Sequence, residues 1–157
     1  MTKVLLTMMG RSVWGLFNSV WASIRQFDYL PDRVYVLMAG CEAPRAGMAT
    51  DMLVILLKEH GSPAKVEMVN VPGDDIKEIG RVAGEILTKE KEKGSELAVD
   101  VTPGSKATVL GTVLGSGKVK VDHIFYLYIE SLQNASRPYL EIPLELQHSH
   151  DLLQEVR

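Results

Sequence analysis

Short apolar runs alternate with amphipathic stretches along almost all of this chain, and that alternation restricts its fold more than any other feature. Val4-Leu5-Leu6 and its neighbours read as a buried strand, followed by a loop from Gly10 to Gly15. Leu16, Phe17, Val20, Trp21, Ile24 and Phe27 then recur at helical spacing. Pro31-Asp32 interrupts, and Val34 to Met38 forms a second continuous apolar strand. A helix is predicted from Met48 to His60, stopped by Gly61-Ser62-Pro63. Lys65 to Val71 alternates polar and apolar residues as a third strand. After Pro72-Gly73, Asp74-Asp75 caps a helix running to about Lys93, with Ile76, Ile79, Val82, Ala83 and Ile86 on one face. Leu97 to Val101 is the fourth strand and leads into a small-residue helix from Ser105 to about Gly115. Val121 to Ile129 is the fifth strand, Arg137 to Ile142 a short sixth, and the tail from Glu145 to Arg157 reads as a helix.

Such alternation specifies an α/β fold: a three-layer, doubly wound, mainly parallel sheet of about six strands, Rossmann-like, with right-handed crossovers. No repeat, linker or low-complexity segment divides the chain, so residues 1–157 are expected to be a single domain. Sheets of this kind bind ligands beyond the carboxyl ends of their strands, where the strand order switches. The loops after the first and fourth strands therefore open on the same edge.

Asp100-Val101-Thr102-Pro103-Gly104-Ser105-Lys106 is the second of those loops. A helix N-terminus presents unpaired N–H groups and the positive end of a dipole. Gly104 lets the backbone come close, Thr102 and Ser105 add hydroxyls, and Lys106 adds a point charge. The combination suits a phosphorylated ligand, and it equally suits a strand-to-helix turn with a capping serine. Gly10-Arg11-Ser12-Val13-Trp14-Gly15 offers Arg11 and Ser12 to a phosphate, with a helix cap at Ser12 as the plainer reading. Arg45, after the second strand, is a further phosphate contact or a bystander, and Met9 and Trp14 are packing residues able to border the pocket.

Other signals are weaker. Gly111 to Lys118 fails the P-loop pattern at Thr112 and Val119, and no Gly-x-Gly-x-x-Gly follows the first strand. His148 and His150 read as polar tail residues rather than metal ligands, His123 as a hydrogen-bonded structural residue, and Asp74 and Asp75 as helix caps. A net charge of −3 argues against a face for long nucleic acid but not against one compact anion. Cys41 is the only cysteine, which excludes an internal disulfide and thiolate zinc clusters. The apolar run after Thr2-Lys3 is broken at Gly10-Arg11, and no run reaches membrane-spanning length. The expectation is a soluble, cytoplasmic protein without metal or other cofactor.

Strand, then Asp-x-Thr-x-Gly-Ser-Lys, then helix, in a chain that opens with a strand and a Gly-x-Ser loop, resembles the CRISPR-associated Rossmann-fold (CARF) domain. Asp100, Thr102, Gly104, Ser105 and Lys106 meet the first pattern, and Gly10 and Ser12 meet the second. Pro103 and the Val13-Trp14 pair depart from the residues often found there. The resemblance implies a homodimer binding cyclic oligoadenylate, the tetramer first, across its two-fold axis. It implies ligand contacts from Met9, Gly10, Arg11, Ser12, Thr102, Pro103, Gly104, Ser105 and Lys106. By likeness to stand-alone ring nucleases it implies metal-independent cleavage of that messenger, down-regulating type III CRISPR defence, with Ser12 and Lys106 as catalytic residues. A non-catalytic sensor domain of a larger effector, or a Rossmann-like binder of another nucleotide, are the alternatives. The small face of Ala107, Gly111 and Gly115 would let two such helices approach across the dimer, or would pack within the chain.

Overall fold

The runs around Val4-Leu5-Leu6, Val34 to Met38 and Leu97 to Val99 lie at the centre of the sheet because each is buried on both faces. In the computed structural model, which describes residues 1–40 and 43–156, Lys3–Met9 (β1), Arg33–Ala39 (β2), Lys65–Val71 (β3), Glu96–Asp100 (β4) and His123–Ile129 (β5) are parallel neighbours. Gln147–Asp151 (β6) pairs antiparallel with β5, and the strand order is β3-β2-β1-β4-β5-β6. The helices are Val13–Phe27 (α1), Ala43–Glu59 (α2), Ile76–Glu92 (α3), Lys106–Ser116 (α4) and the single turn Leu152–Glu155 (α5). Cys41, whose lone thiol excluded a disulfide, lies outside the described residues, as do Glu42 and Arg157.

Strand alternation sorts side chains into two cores. Leu5 and Met9 of β1 join α1, α2, Val34, Val36 and Ala98 on one face. Val4, Leu6 and Met8 join Ile79, Ala83 and Leu87 of α3 on the other. Fully burying a side chain of this size stabilises by roughly 1.5–3 kcal/mol, so these layers hold the fold. β3 alternates because it is an edge strand, with Lys65 and Glu67 in a surface pair at 3.7 Å. The order reverses between β1 and β4, where the chain leaves in opposite directions to α1 and α4.

Two expectations fail at the C-terminal end. Residues 137–142 form no strand. Pro138 and Pro143 flank a 3-10 turn at Tyr139–Glu141, and a proline cannot donate to a ladder. Tyr139 is buried there against Trp21, with ring centroids 5.8 Å apart, and Gln26 Nε2 donates to its hydroxyl at 2.8 Å. The sixth strand is Gln-His-Ser-His-Asp, so the supposed tail helix is instead a 3-10 turn at Leu144–Leu146, an edge strand and a single α-helical turn at Leu152–Glu155. α2 also begins five residues before Met48, with Pro44 in its first turn, where a proline is tolerated.

The small face of α4 packs within the chain. A Cβ on Gly80 of α3 would lie 3.0 Å from the Gly111 carbonyl oxygen, and one on Gly115 would overlap the Gly80 carbonyl oxygen. Gly111 and Gly115 are therefore used up by α3 and are not open to a second copy of α4.

Candidate functional site

Beyond the ends of β1 and β4, the two loops touch. A Cβ on Gly10 would stand 2.8 Å from the Gly104 nitrogen. Gly104 has φ +95°, and a Cβ there would meet Met8 Cγ at 2.5 Å. Glycine is required at both positions, by close approach at Gly10 and by backbone handedness as well at Gly104.

Each loop ends in a serine cap. Ser12 Oγ accepts from the Trp14 N–H at 3.2 Å, and Ser105 Oγ accepts from the Thr108 N–H at 3.2 Å. The capping reading of both serines is thus correct. Capping occupies an oxygen lone pair and leaves the hydroxyl hydrogen to donate elsewhere. Ser105 Oγ also lies 2.9 Å from Thr108 Oγ1.

Met9, Gly10, Arg11, Ser12, Thr102, Pro103, Gly104, Ser105 and Lys106, the whole expected set, line one cavity of about 700 Å³. Gly15, Ala39, Gly40, Arg45 and Thr108 complete it. Trp14 turns away to meet Phe17 edge-on at 5.8 Å. Three cations, Arg11, Arg45 and Lys106, border the cavity, and among the described residues no carboxylate does. The N-termini of α1 and α4 add their dipoles, so the local field favours an anion although the chain is net acidic.

Several side chains hold the site together, some of them lining it as well. Thr102 Oγ1 accepts from the Leu127 N–H at 2.9 Å, fastening the turn to β5. The Thr102 N–H donates to Asp100 Oδ1 at 3.0 Å. Asp100 lies buried beneath the turn, accepting from Thr7 Oγ1 at 2.8 Å and Ser19 Oγ at 2.6 Å. Burial pushes its carboxyl above the usual range, against the opposing pull of Ser19, Thr102 and Thr7. Arg45 Nη2 donates to the Gly10 carbonyl at 2.8 Å and to the Arg11 carbonyl, so α2 clamps the first loop. Pro103 is buried and contributes no N–H.

The weaker candidates have structural roles. Asp75 Oδ1 accepts from the Glu78 N–H at 3.0 Å and caps α3. His123 lies between Asp151 (2.7 Å) and Glu96 (3.0 Å) at the far edge of the sheet. His148 and His150 bond Glu130 and Glu155. The Asp100 network and the Arg45 clamp escaped sequence reasoning, because hydroxyl and guanidinium partners distant in sequence leave no periodic signal.

No family model and no curated protein sequence matches the chain. Solved structures do resemble it. A type III CRISPR defence DNA nuclease activated by cyclic oligoadenylate superposes with a TM-score of 0.58 at 16% identity, over 83% of this chain and 19% of that one. Can2 from Sulfobacillus thermosulfidooxidans, in complex with cyclic tetra-adenylate, gives 0.59 at 15% identity, over 79% and 31%. Csm6 of Enterococcus italicus, bound to cyclic hexa-2′-fluoro-hexa-dAMP, gives 0.64 at 15% identity, over 99% and 42%. This chain therefore spans less than half the length of each. No helix among the described residues is long and apolar enough to cross a membrane. With its six-stranded, mostly parallel sheet switching order between β1 and β4, the chain has the fold of the CARF domains of type III CRISPR proteins.

Proposed function

We propose that this chain binds a cyclic oligoadenylate, cyclic tetra-adenylate first, between two copies of itself and cleaves it as a metal-independent ring nuclease. The supporting observation is a single cavity with three cations, two helix N-termini and no carboxylate among its described lining, in a fold whose solved neighbours hold cyclic adenylates. A cyclic tetranucleotide has internal two-fold symmetry and suits an isologous dimer in which each copy supplies one such edge.

In the proposed reaction a ribose 2′-oxygen attacks the adjacent phosphorus. The O2′–P bond forms, the P–O5′ bond breaks, the 2′-hydroxyl loses its proton and the departing 5′-oxygen gains one. The products end in 2′,3′-cyclic phosphate and 5′-hydroxyl. Ser12, whose hydroxyl hydrogen is spared by capping, holds the attacking ribose or the scissile phosphate. Lys106, exposed at the first position of α4, stabilises the negative charge that develops on phosphorus. Gly10, Gly104 and Ser105 bring backbone to the ligand, Arg11 adds charge, and Met9 and Pro103 give the floor its shape. Thr102 acts through its placement of the turn.

A second reading, binding without turnover, is favoured by the neighbours themselves, in each of which this fold accounts for a minority of the chain. Incubation with cyclic tetra- and hexa-adenylate in EDTA, followed by chromatography, separates the two. Linear di-adenylate supports the nuclease, and ligand bound but intact for hours supports the sensor. Ligand at ~100 times Kd should stabilise the fold by roughly 2.7 kcal/mol, and no thermal shift would favour another nucleotide.

A further inference from the structure

We infer that the exposed face of the β5–β6 ribbon is a nucleobase-stacking platform serving the turn beside it, an inference that rests on the nucleotide-binding reading above. Phe125 and Leu127 of β5 enter the cores on the α1 side, so Tyr126 and Tyr128 emerge on the other face, 36% and 47% exposed. His150 stands opposite Tyr126 and His148 opposite Tyr128. In both pairs the ring centroids are 6.2 Å apart, and the planes lie within 22° and 24° of parallel. His148 Nε2 is held by Glu130 at 3.0 Å and His150 Nδ1 by Glu155 at 2.8 Å, so the rows are oriented from outside.

Edge ribbons of soluble folds ordinarily carry charged or small polar residues on the face left to water. Four rings in two ordered rows instead give this face an aromatic surface against which a flat base can stack. Glu130 and Glu155 beside the rows disfavour a phosphate backbone on this face and accept a neutral base. The cations stand next door. The Leu127 N–H, between the two tyrosines, donates to Thr102 Oγ1, and the Val101 N–H donates to the Phe125 carbonyl at 3.0 Å. The β5 backbone thus runs one strand spacing, roughly 4.8 Å, from Val101 and Thr102 at the start of the turn. A nucleotide with its phosphate at the turn would set its base on Tyr128, the neighbour of Leu127.

The test compares the full chain with Y126A/Y128A and Y126F/Y128F for binding of cyclic tetra-adenylate, with circular dichroism and sedimentation on each. The expected result is an affinity loss of about ten-fold or more in the alanine pair and near-native affinity in the phenylalanine pair, which keeps the rings. Alanine-pair affinity within two-fold of wild type overturns the platform and leaves the binding reading intact. Failure of the wild type to bind cyclic tetra-adenylate removes the nucleotide reading and the platform with it. Conversion of a wild-type dimer to monomer in the alanine pair overturns the platform by assigning this face to a second copy of the chain.

Discussion

The Ser19 hydroxyl donates to the Asp100 carboxylate across 2.6 Å, tying α1 to the end of β4 directly beneath the candidate site. Thr7 and the Thr102 N–H converge on the same carboxylate, so one buried group aligns β1, α1 and the turn. Asp100→Ala takes the acceptor from the Thr7 hydroxyl and the Thr102 N–H, while Ser19 Oγ keeps the Leu16 carbonyl at 3.0 Å. Each orphaned donor costs about 1–3 kcal/mol, so a loss of at least about 2 kcal/mol is expected in urea denaturation. Amide exchange at Thr102 should accelerate beyond the global change. Unaltered exchange there would show that the turn does not depend on Asp100.

Gly104→Ala tests the contact between loops. A Cβ at φ +95° adds local strain of about 1–3 kcal/mol to the clash with Met8. The variant should melt lower than wild type and bind ligand more weakly. Gly47, inside α2 with open space around its Cβ position, is the control. Gly47→Ala should stabilise by roughly 0.5–1 kcal/mol through helix propensity, and Gly115→Ala should destabilise because α3 occupies the space. A stabilising Gly115→Ala would refute the observed α3–α4 contact.

Lys106→Ala separates binding from cleavage. If Lys106 stabilises developing charge, turnover of cyclic tetra-adenylate falls at saturating ligand while binding persists at higher concentration. A pure affinity loss with unchanged saturated turnover would restrict Lys106 to binding. Arg45→Ala frees the Gly10 and Arg11 carbonyls. It should lower ligand affinity about ten-fold, the equivalent of ~1.4 kcal/mol, with little change in melting temperature. An unchanged Kd would make the clamp dispensable.

Acid should unfold the protein partly through Glu90 and Asp122, whose carboxyls sit below their usual ranges. Burial pushes Glu90 up, but bonds from Lys93 and Tyr35 and the charge of Arg33 outweigh it. For Asp122 the Leu97 N–H and Lys91 likewise outweigh burial. A carboxyl lowered by folding stabilises above its unfolded value and loses that contribution as pH falls through its folded value. Asp100 has the opposite sign: its contribution is fullest below the unfolded value and declines as pH rises through its raised folded value. Below about pH 4.3, the ordinary glutamate value, wild type should lose stability more steeply than Glu90→Gln. Equal slopes would remove Glu90 from the acid transition.

Much of the fold was legible because burial on both faces leaves continuous apolar runs, as in β1 and β2, and burial on one face leaves a period, as in α3. β6 was not legible. Its residues, Gln-His-Ser-His-Asp, carry no apolar alternation, and Tyr139 in the preceding segment is buried by a turn between two prolines. In the site, Gly10, Ser12, Gly104, Ser105 and Lys106 were recognisable because turn and cap chemistry is local. Thr102 was expected to offer its hydroxyl to a ligand; that oxygen also accepts from a strand 25 residues away, a fastening the sequence did not reveal.

The sequence by itself determined the α/β alternation, the single sheet and the two capped turns, since these depend on neighbours a few residues apart. Tertiary structure decided which groups those turns leave for a ligand. It buried Asp100 under hydroxyls as far as 93 residues away, turned the glycines of α4 onto α3, and set Arg45 on the carbonyls of the first loop. Hydrogen-bond partners and close backbone approaches are properties of a packed volume, and no period along the chain encodes them.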